Sequence, residues 1–171
     1  MKHIICLDIE NTIIDDLQNC NFIEENCEKI KRLIVERRGS LLGLVFNTWG
    51  WKTNDEVDIN VVNRILVKFG IDLLNIGCDC RVFTKEFSVD KAIEAGWLFK
   101  EDKERALHPG MMQEFGISKI SCFFEMCRKA NVYEDTEIIL IDDLANGTEV
   151  ETFKGEYGTL TVKAINPTEL T

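Results

Sequence analysis

The chain is 171 residues long and 45% hydrophobic, with 30 acidic against 20 basic side chains and a formal net charge of −10. That length supports one core burying about 70% of the unfolded surface, and 11 Gly with only 2 Pro argue against a disordered or low-complexity chain. The negative balance makes broad binding to nucleic-acid phosphates or an anionic membrane unfavourable.

No apolar window is long enough to span a bilayer and no leader pattern precedes the first apolar run, so a cytoplasmic protein is expected. Seven cysteines, an odd number without a secretory pattern, predict reduced thiols rather than a disulfide framework. Neither Cys78-x-Cys80 nor the pair Cys122 and Cys127 has the spacing of a zinc knuckle, and five residues place the second pair on different sides of a helix.

Taken in chain order, Ile4 to Leu7 reads as a buried strand delivering Asp8, Glu10 and Thr12 where strand gives way to loop. Asp15 and Asp16 are expected to open the following helix, where acids suit the dipole. Phe22 to Arg38 has the apolar spacing of an amphipathic helix, with Gly39 as its stop. Leu41 to Phe46 is a second buried strand, which completes a parallel crossover and ends at Asn47-Thr48-Trp49-Gly50-Trp51. Trp49 and Trp51 either line the mouth of a site there or pack the loop.

Val57 to Phe69 is again helical, with Gly70 as its stop. Leu73 to Ile76 and Cys80 to Phe83 form an interrupted strand or a hairpin. Val89 to Leu107 is helical in part, interrupted at Gly96 and closed by a turn at His108-Pro109-Gly110. Ser118 caps a helix from Lys119 to about Ala130, leading into the apolar strand Glu137 to Ile141, which stops at Asp142-Asp143. Thr159 to Ile165 alternates as a last, half-exposed strand. His3 sits at the start of the first strand, away from the chemistry.

Strand-helix alternation predicts a single α/β domain over residues 1–171, three-layered and Rossmann-like, with a mostly parallel sheet. A small insertion falls about residues 77–107. Parallel strands put Asp8 and Glu10, Thr48, and Asp142 with Asp143 on one sheet edge, where open α/β sheets bind ligands. Paired carboxylates suit a hard divalent ion, and the set also holds a possible nucleophile, a possible acid/base, a hydroxyl and, in Lys119, a cation for phosphate.

The order of these elements resembles the haloacid dehalogenase-like superfamily of phosphohydrolases. That family has a strand ending in Asp-x-Asp-x-Thr, a second ending in Thr or Ser, a downstream Lys, and a fourth element ending in Asp-Asp or Gly-Asp. Here these are Asp8-Ile9-Glu10-Asn11-Thr12, Thr48, Lys119 and Asp142-Asp143, with Lys91 and Lys103 competing for the lysine role. The resemblance covers nearly the whole chain and implies a core with little or no cap, acting on a phosphorylated substrate.

It further implies that Asp8 attacks phosphorus to form an aspartyl-phosphate. Mg²⁺ would be bound by Asp8, the backbone carbonyl of Glu10, and Asp142 or Asp143. Thr48 and the Trp49 amide would hold phosphoryl oxygens, and Lys119 would neutralise Asp8. Glu10 departs from the family, whose phosphatases place Asp there as the acid/base. Its extra methylene matters, because a displacement near 1 Å can cost on the order of a hundredfold in rate. The alternative implied is a member that binds metal or a phosphorylated partner without efficient turnover. A phosphoacceptor receiver domain would place its adjacent acids at the first strand, so the order here argues against it.

Overall fold

The computed structural model describes residues 1–71 and 79–171, of which 79 and 80 are described by backbone alone. Six strands, β1 (Lys2–Leu7), β2 (Leu41–Asn47), β3 (Asp79–Phe83), β4 (Thr136–Ile141), β5 (Thr148–Lys154) and β6 (Thr159–Ile165), form one sheet in the order β3-β2-β1-β4-β6-β5. All neighbours pair in parallel except β5, which runs antiparallel to β6. The α/β architecture and the mostly parallel sheet are as expected from the sequence.

Helices cover both faces, which is why the central strands read as continuous apolar runs. On one face, α1 (Glu24–Arg37) and α2 (Ile59–Lys68) bury Ile30, Ile34, Val62 and Ile65 against Ile5, Leu7, Leu44, Phe46, Ile139 and Ile141. Gly70 follows α2 in the left-handed region at φ 66°, which glycine adopts without steric cost. On the other face, α6 (Lys119–Arg128) buries Phe123, Phe124 and Cys127 against Cys6, Ile138, Leu140 and Val162.

Ser118 caps α6 by accepting from the Ser121 amide at 3.0 Å, as its position predicted. A third cluster joins α6, through Cys122, to α3 (Lys85–Glu94), α4 (Lys103–Ala106) and α5 (Met111–Glu114) by way of Val89, Ala106 and Met112. Cys122 and Cys127 thus enter different clusters, and burial pushes both thiols up to about 12. Among the described residues, no helix is long and apolar enough to cross a membrane.

Three expectations need correction or lie outside the description. Asp15 and Asp16 do not open a helix: Asp16 accepts from the amides of Gln18 and Asn19, and Asp15 from those of Asp16 and Asn21. Short acidic side chains satisfy nearby amides more readily in a turn than in a helix, and the first-turn acids of α1 are Glu24 and Glu25. The strand β5 was not anticipated, because Thr148–Lys154 buries neither face fully. The segment Leu73 to Ile76 and the residue Cys78 lie outside the described residues.

Candidate active site

Register decides which side chains meet. Leu7 pairs with Ile141 on β4 and with Phe46 on β2, and all three pack under α1 and α2. The residues on either side of them therefore point the other way, toward α6. Asp8, Asp142 and Asn47 each take the step after that apolar layer, at the carboxyl edge of three adjacent parallel strands. Asp8 N–H donates to Ile141 O at 2.9 Å and Asp142 N–H to Ile165 O at 3.1 Å, so the ladder fixes both backbones.

Because α6 begins at that same edge, its first residue, Lys119, arrives over the two acids. Its ammonium pairs with Asp8 Oδ1, and with Asp142 Oδ2 at 2.8 Å. Lys119, Asp8 and Asp142 are all buried. The competing lysines are engaged elsewhere, Lys91 with Glu94 and Lys103 with Glu86 and Asp90.

Thr12 joins the early acid to the late pair. Its hydroxyl donates to Asp8 Oδ2 at 3.0 Å and accepts from the Asp143 amide at 3.1 Å. The chain reverses to bring it there: Asn11 adopts φ 59°, a conformation asparagine tolerates, and the amides of Ile13 and Ile14 both donate to Ile9 O. Asn166 steadies the acid loop from β6, with its Nδ2 donating to Asp143 O and Ala145 O at 2.9 and 3.1 Å. The spacing of Thr12 from Asp8 carried a signal for its position; nothing in the sequence announced Asn166.

One carboxylate oxygen each from Asp8, Asp142 and Asp143 lies within 4.8 Å of the others. Three acids share one ammonium, and the titration directions follow. Burial, and then the neighbouring acids, raise Asp8 and Asp142 above the usual carboxylate range despite Lys119, and burial with Asp142 raises Asp143. Burial alone would lower Lys119, but Asp8 and Asp142 together outweigh it and raise the ammonium.

The remaining predicted residues take different positions. Thr48 is buried, and its hydroxyl oxygen accepts from the Gly50 amide at 3.0 Å, so it closes its own turn while its O–H stays free to donate. Glu10 is not one of the three clustered carboxylates; its Oε2 meets the Leu17 amide at 3.4 Å. A Cβ on Gly50 would lie 2.4 Å from Glu10 Oε1 and 2.7 Å from Leu17 Cδ1. Residue 50 must therefore be glycine for this carboxylate to sit where it does. Trp51 is buried in the core beside α1 and α2 rather than at a mouth, whereas Trp49 borders a cleft. His3 bonds Ser40 at the opposite end of the sheet.

Two buried residues without an assigned role in the sequence reading also belong to this region. Asn47 Nδ2 has no hydrogen-bond partner among the described residues, and register puts it beside Asp8. Lys85 at the start of α3 donates to the carbonyls of Leu107 and His108 at 3.2 and 2.9 Å, with its ammonium 5.7 Å from the Trp49 ring centre. Burial, and then Lys52, lower its pKa.

Hard oxygen donors in excess of their counter-charge, together with Asp142 Oδ2 lacking any well-directed hydrogen bond among the described residues, fit a divalent cation of the Mg²⁺ type. The unpaired Asn47 amide beside them fits an anionic oxygen. Fold and site define the chain as an α/β protein with a buried acid-lysine cluster at the carboxyl edge of a mostly parallel sheet. No family model, curated protein or solved structure matches the chain significantly.

Proposed function

We propose that the chain is a Mg²⁺-dependent phosphohydrolase of the haloacid dehalogenase-like type, acting on a phosphomonoester through an aspartyl-phosphate on Asp8. The observation that supports this most is the convergence of Asp8, Thr12, Lys119, Asp142 and Asp143 from three separate segments onto one largely buried cluster. Asp8, Asp143 or Asp142, and the Glu10 backbone carbonyl would hold the ion, whose charge lowers the barrier for one anion to attack another.

In this reading, a carboxylate oxygen of Asp8 forms a bond to phosphorus as the ester P–O bond breaks, and the leaving oxygen takes a proton from Glu10. Water then attacks the aspartyl-phosphate, giving a proton back to Glu10, and the P–O bond to Asp8 breaks to regenerate the carboxylate. Lys119 offsets charge on Asp8 and on the phosphoryl oxygens. Thr48 O–H and the Asn47 amide are donors available to those oxygens.

A second reading, binding of metal or a phosphorylated partner without efficient turnover, is favoured by one observation. Glu10 replaces the family's Asp, and its carboxylate rests against Gly50 and the Leu17 amide. Phosphate release from a panel of phosphomonoesters with and without Mg²⁺ tests the main reading, with Asp8→Asn expected to reduce it at least about a thousandfold. Trapping of beryllium fluoride at Asp8 without phosphate release from any ester would favour the second. Release that persists in Asp8→Asn, or without divalent ions, would overturn the first.

A further inference from the structure

A cleft of about 970 Å³ adjoins the acid cluster. It is lined by α6 from Lys119 to Arg128, by Trp49 and residues between Trp97 and Ile117, and by the loop after β4 with the start of β5, from Leu144 to Glu151. None of the three aspartates lines it. It reaches them through Lys119, which pairs with Asp8 and Asp142, and through Trp49, which directly follows Thr48. A group esterified to a phosphoryl at Asp8 therefore has this cleft as its adjoining space.

We infer that the substrate of the site proposed above is a phosphomonoester whose leaving group carries a planar aromatic ring system and no further phosphate. Size is the first argument, since the volume lies at the upper end of the roughly 300–1,000 Å³ of pockets that hold drug-sized ligands and far exceeds the needs of a phosphate or a glycerol. Chemistry is the second. Trp97, Leu144 and Val150 are 43%, 60% and 53% exposed and line the cleft together with Met112, Phe124 and Trp49. Scattered apolar residues on a surface are ordinary; their gathering in one concavity beside a reactive cluster is not.

Two indoles in that lining favour a flat π-system over an aliphatic chain. Trp49 is held in place, its Nε1–H donating to Ser88 Oγ at 2.8 Å, so little rotamer freedom of that ring is lost on stacking. Trp97 follows α3 with its amide donating to Ala92 O at 2.9 Å.

Charge is the third argument. Glu125, Glu149 and Glu151 line the cleft with Arg128, which is shared with Glu125 and Glu151 at 3.7 and 3.5 Å, while Lys129 also pairs with Glu125 at 3.7 Å. Glu149 accepts from the Asn146 amide in the loop after β4 and pairs with no cation among the described residues. Lys85 is held by the carbonyls of Leu107 and His108. With every lining cation already engaged, these carboxylates repel a second phosphate, which argues against polyphosphates and oligonucleotides as ligands.

The inference rests on the phosphohydrolase reading, and calorimetric titration of the full chain bearing Asp8→Asn, with Mg²⁺ present, separates the two. Expected is 1-naphthyl phosphate binding at least about tenfold more tightly than glycerol 2-phosphate, with adenosine 5′-monophosphate bound more tightly than adenosine 3′,5′-bisphosphate. Adding Trp97→Ala should shrink the naphthyl preference to less than about threefold. Phe99→Ala, which is exposed but outside the cleft, should not. Equal affinity for the naphthyl and glycerol esters, tighter binding of the bisphosphate, or binding of neither ester overturns the inference. If the naphthyl preference depends on Trp97 but the unsubstituted chain releases phosphate from no ester, the ligand class stands and hydrolysis falls. If phosphate is released while Trp97 has no effect on the preference, hydrolysis stands and the ligand class falls.

Discussion

Strand β4 carries a buried acid near each end, and the two ends are built on opposite principles. At the amino end, Glu137 meets more cations than it needs: Lys163 at 2.6 Å, His3 at 3.5 Å and Arg37 at 3.9 Å. Burial holds His3 below the usual imidazole range even against the pull of Glu137, so Lys163 and Arg37 carry the balance. At the carboxyl end, Asp142 shares the single ammonium of Lys119 with Asp8, while Asp143 adds a third carboxylate. A surplus of positive charge around one acid makes a structural anchor. A deficit around three acids makes a site that gains free energy when a cation arrives.

That contrast can be tested by removing charge from either end. Lys119→Met should cost the most stability, about 3–5 kcal/mol, because it leaves Asp8 and Asp142 buried without a counter-ion; chemical denaturation measures it, and Mg²⁺ should recover part of the loss. Gly50→Ala should come next, acting on turnover rather than on stability: its methyl would displace the flexible ends of Glu10 or Leu17, a small cost to the fold, and lower any phosphate release by as much as about a hundredfold. The shorter side chain of Glu10→Asp should restore part of it, and no rescue would mean that the Gly50 contact does not position the acid.

Mg²⁺ at a hundredfold excess over its dissociation constant should stabilise the fold by about 2.7 kcal/mol, read as a rise in melting temperature. The pH dependence has a definite sign. Asp8, Asp142 and Asp143 are all raised above the ordinary aspartate value, so the metal-free fold draws stability from their protonation below that value and loses it as pH rises through the raised values. Metal needs the deprotonated forms, so the Mg²⁺ effect should be largest above that window and vanish below about pH 4. The smallest effect belongs to the amino end: Glu137→Gln should cost about 1 kcal/mol, because Lys163 remains partly exposed to solvent, and should leave Mg²⁺ binding unchanged.

The sequence alone determined the layers. Apolar runs at Ile4 to Leu7, Leu41 to Phe46 and Glu137 to Ile141 had to be buried strands, and the helical spacing between them required crossovers. Strand ends then carried Asp8, Thr48 and the acid pair to one edge, because parallel strands share a direction. Which carboxylates face Lys119 was not legible in the chain, since a side chain's face depends on register, and register is set between strands rather than within one. Glu10 turning toward Gly50, Trp51 entering the core while Trp49 borders the cleft, and Asn166 bracing the acid loop are likewise consequences of packing. The edge strand β5 stayed hidden for a related reason: half-buried and charged along its length, it is a strand because β6 offers it hydrogen bonds, not because its own residues must leave water.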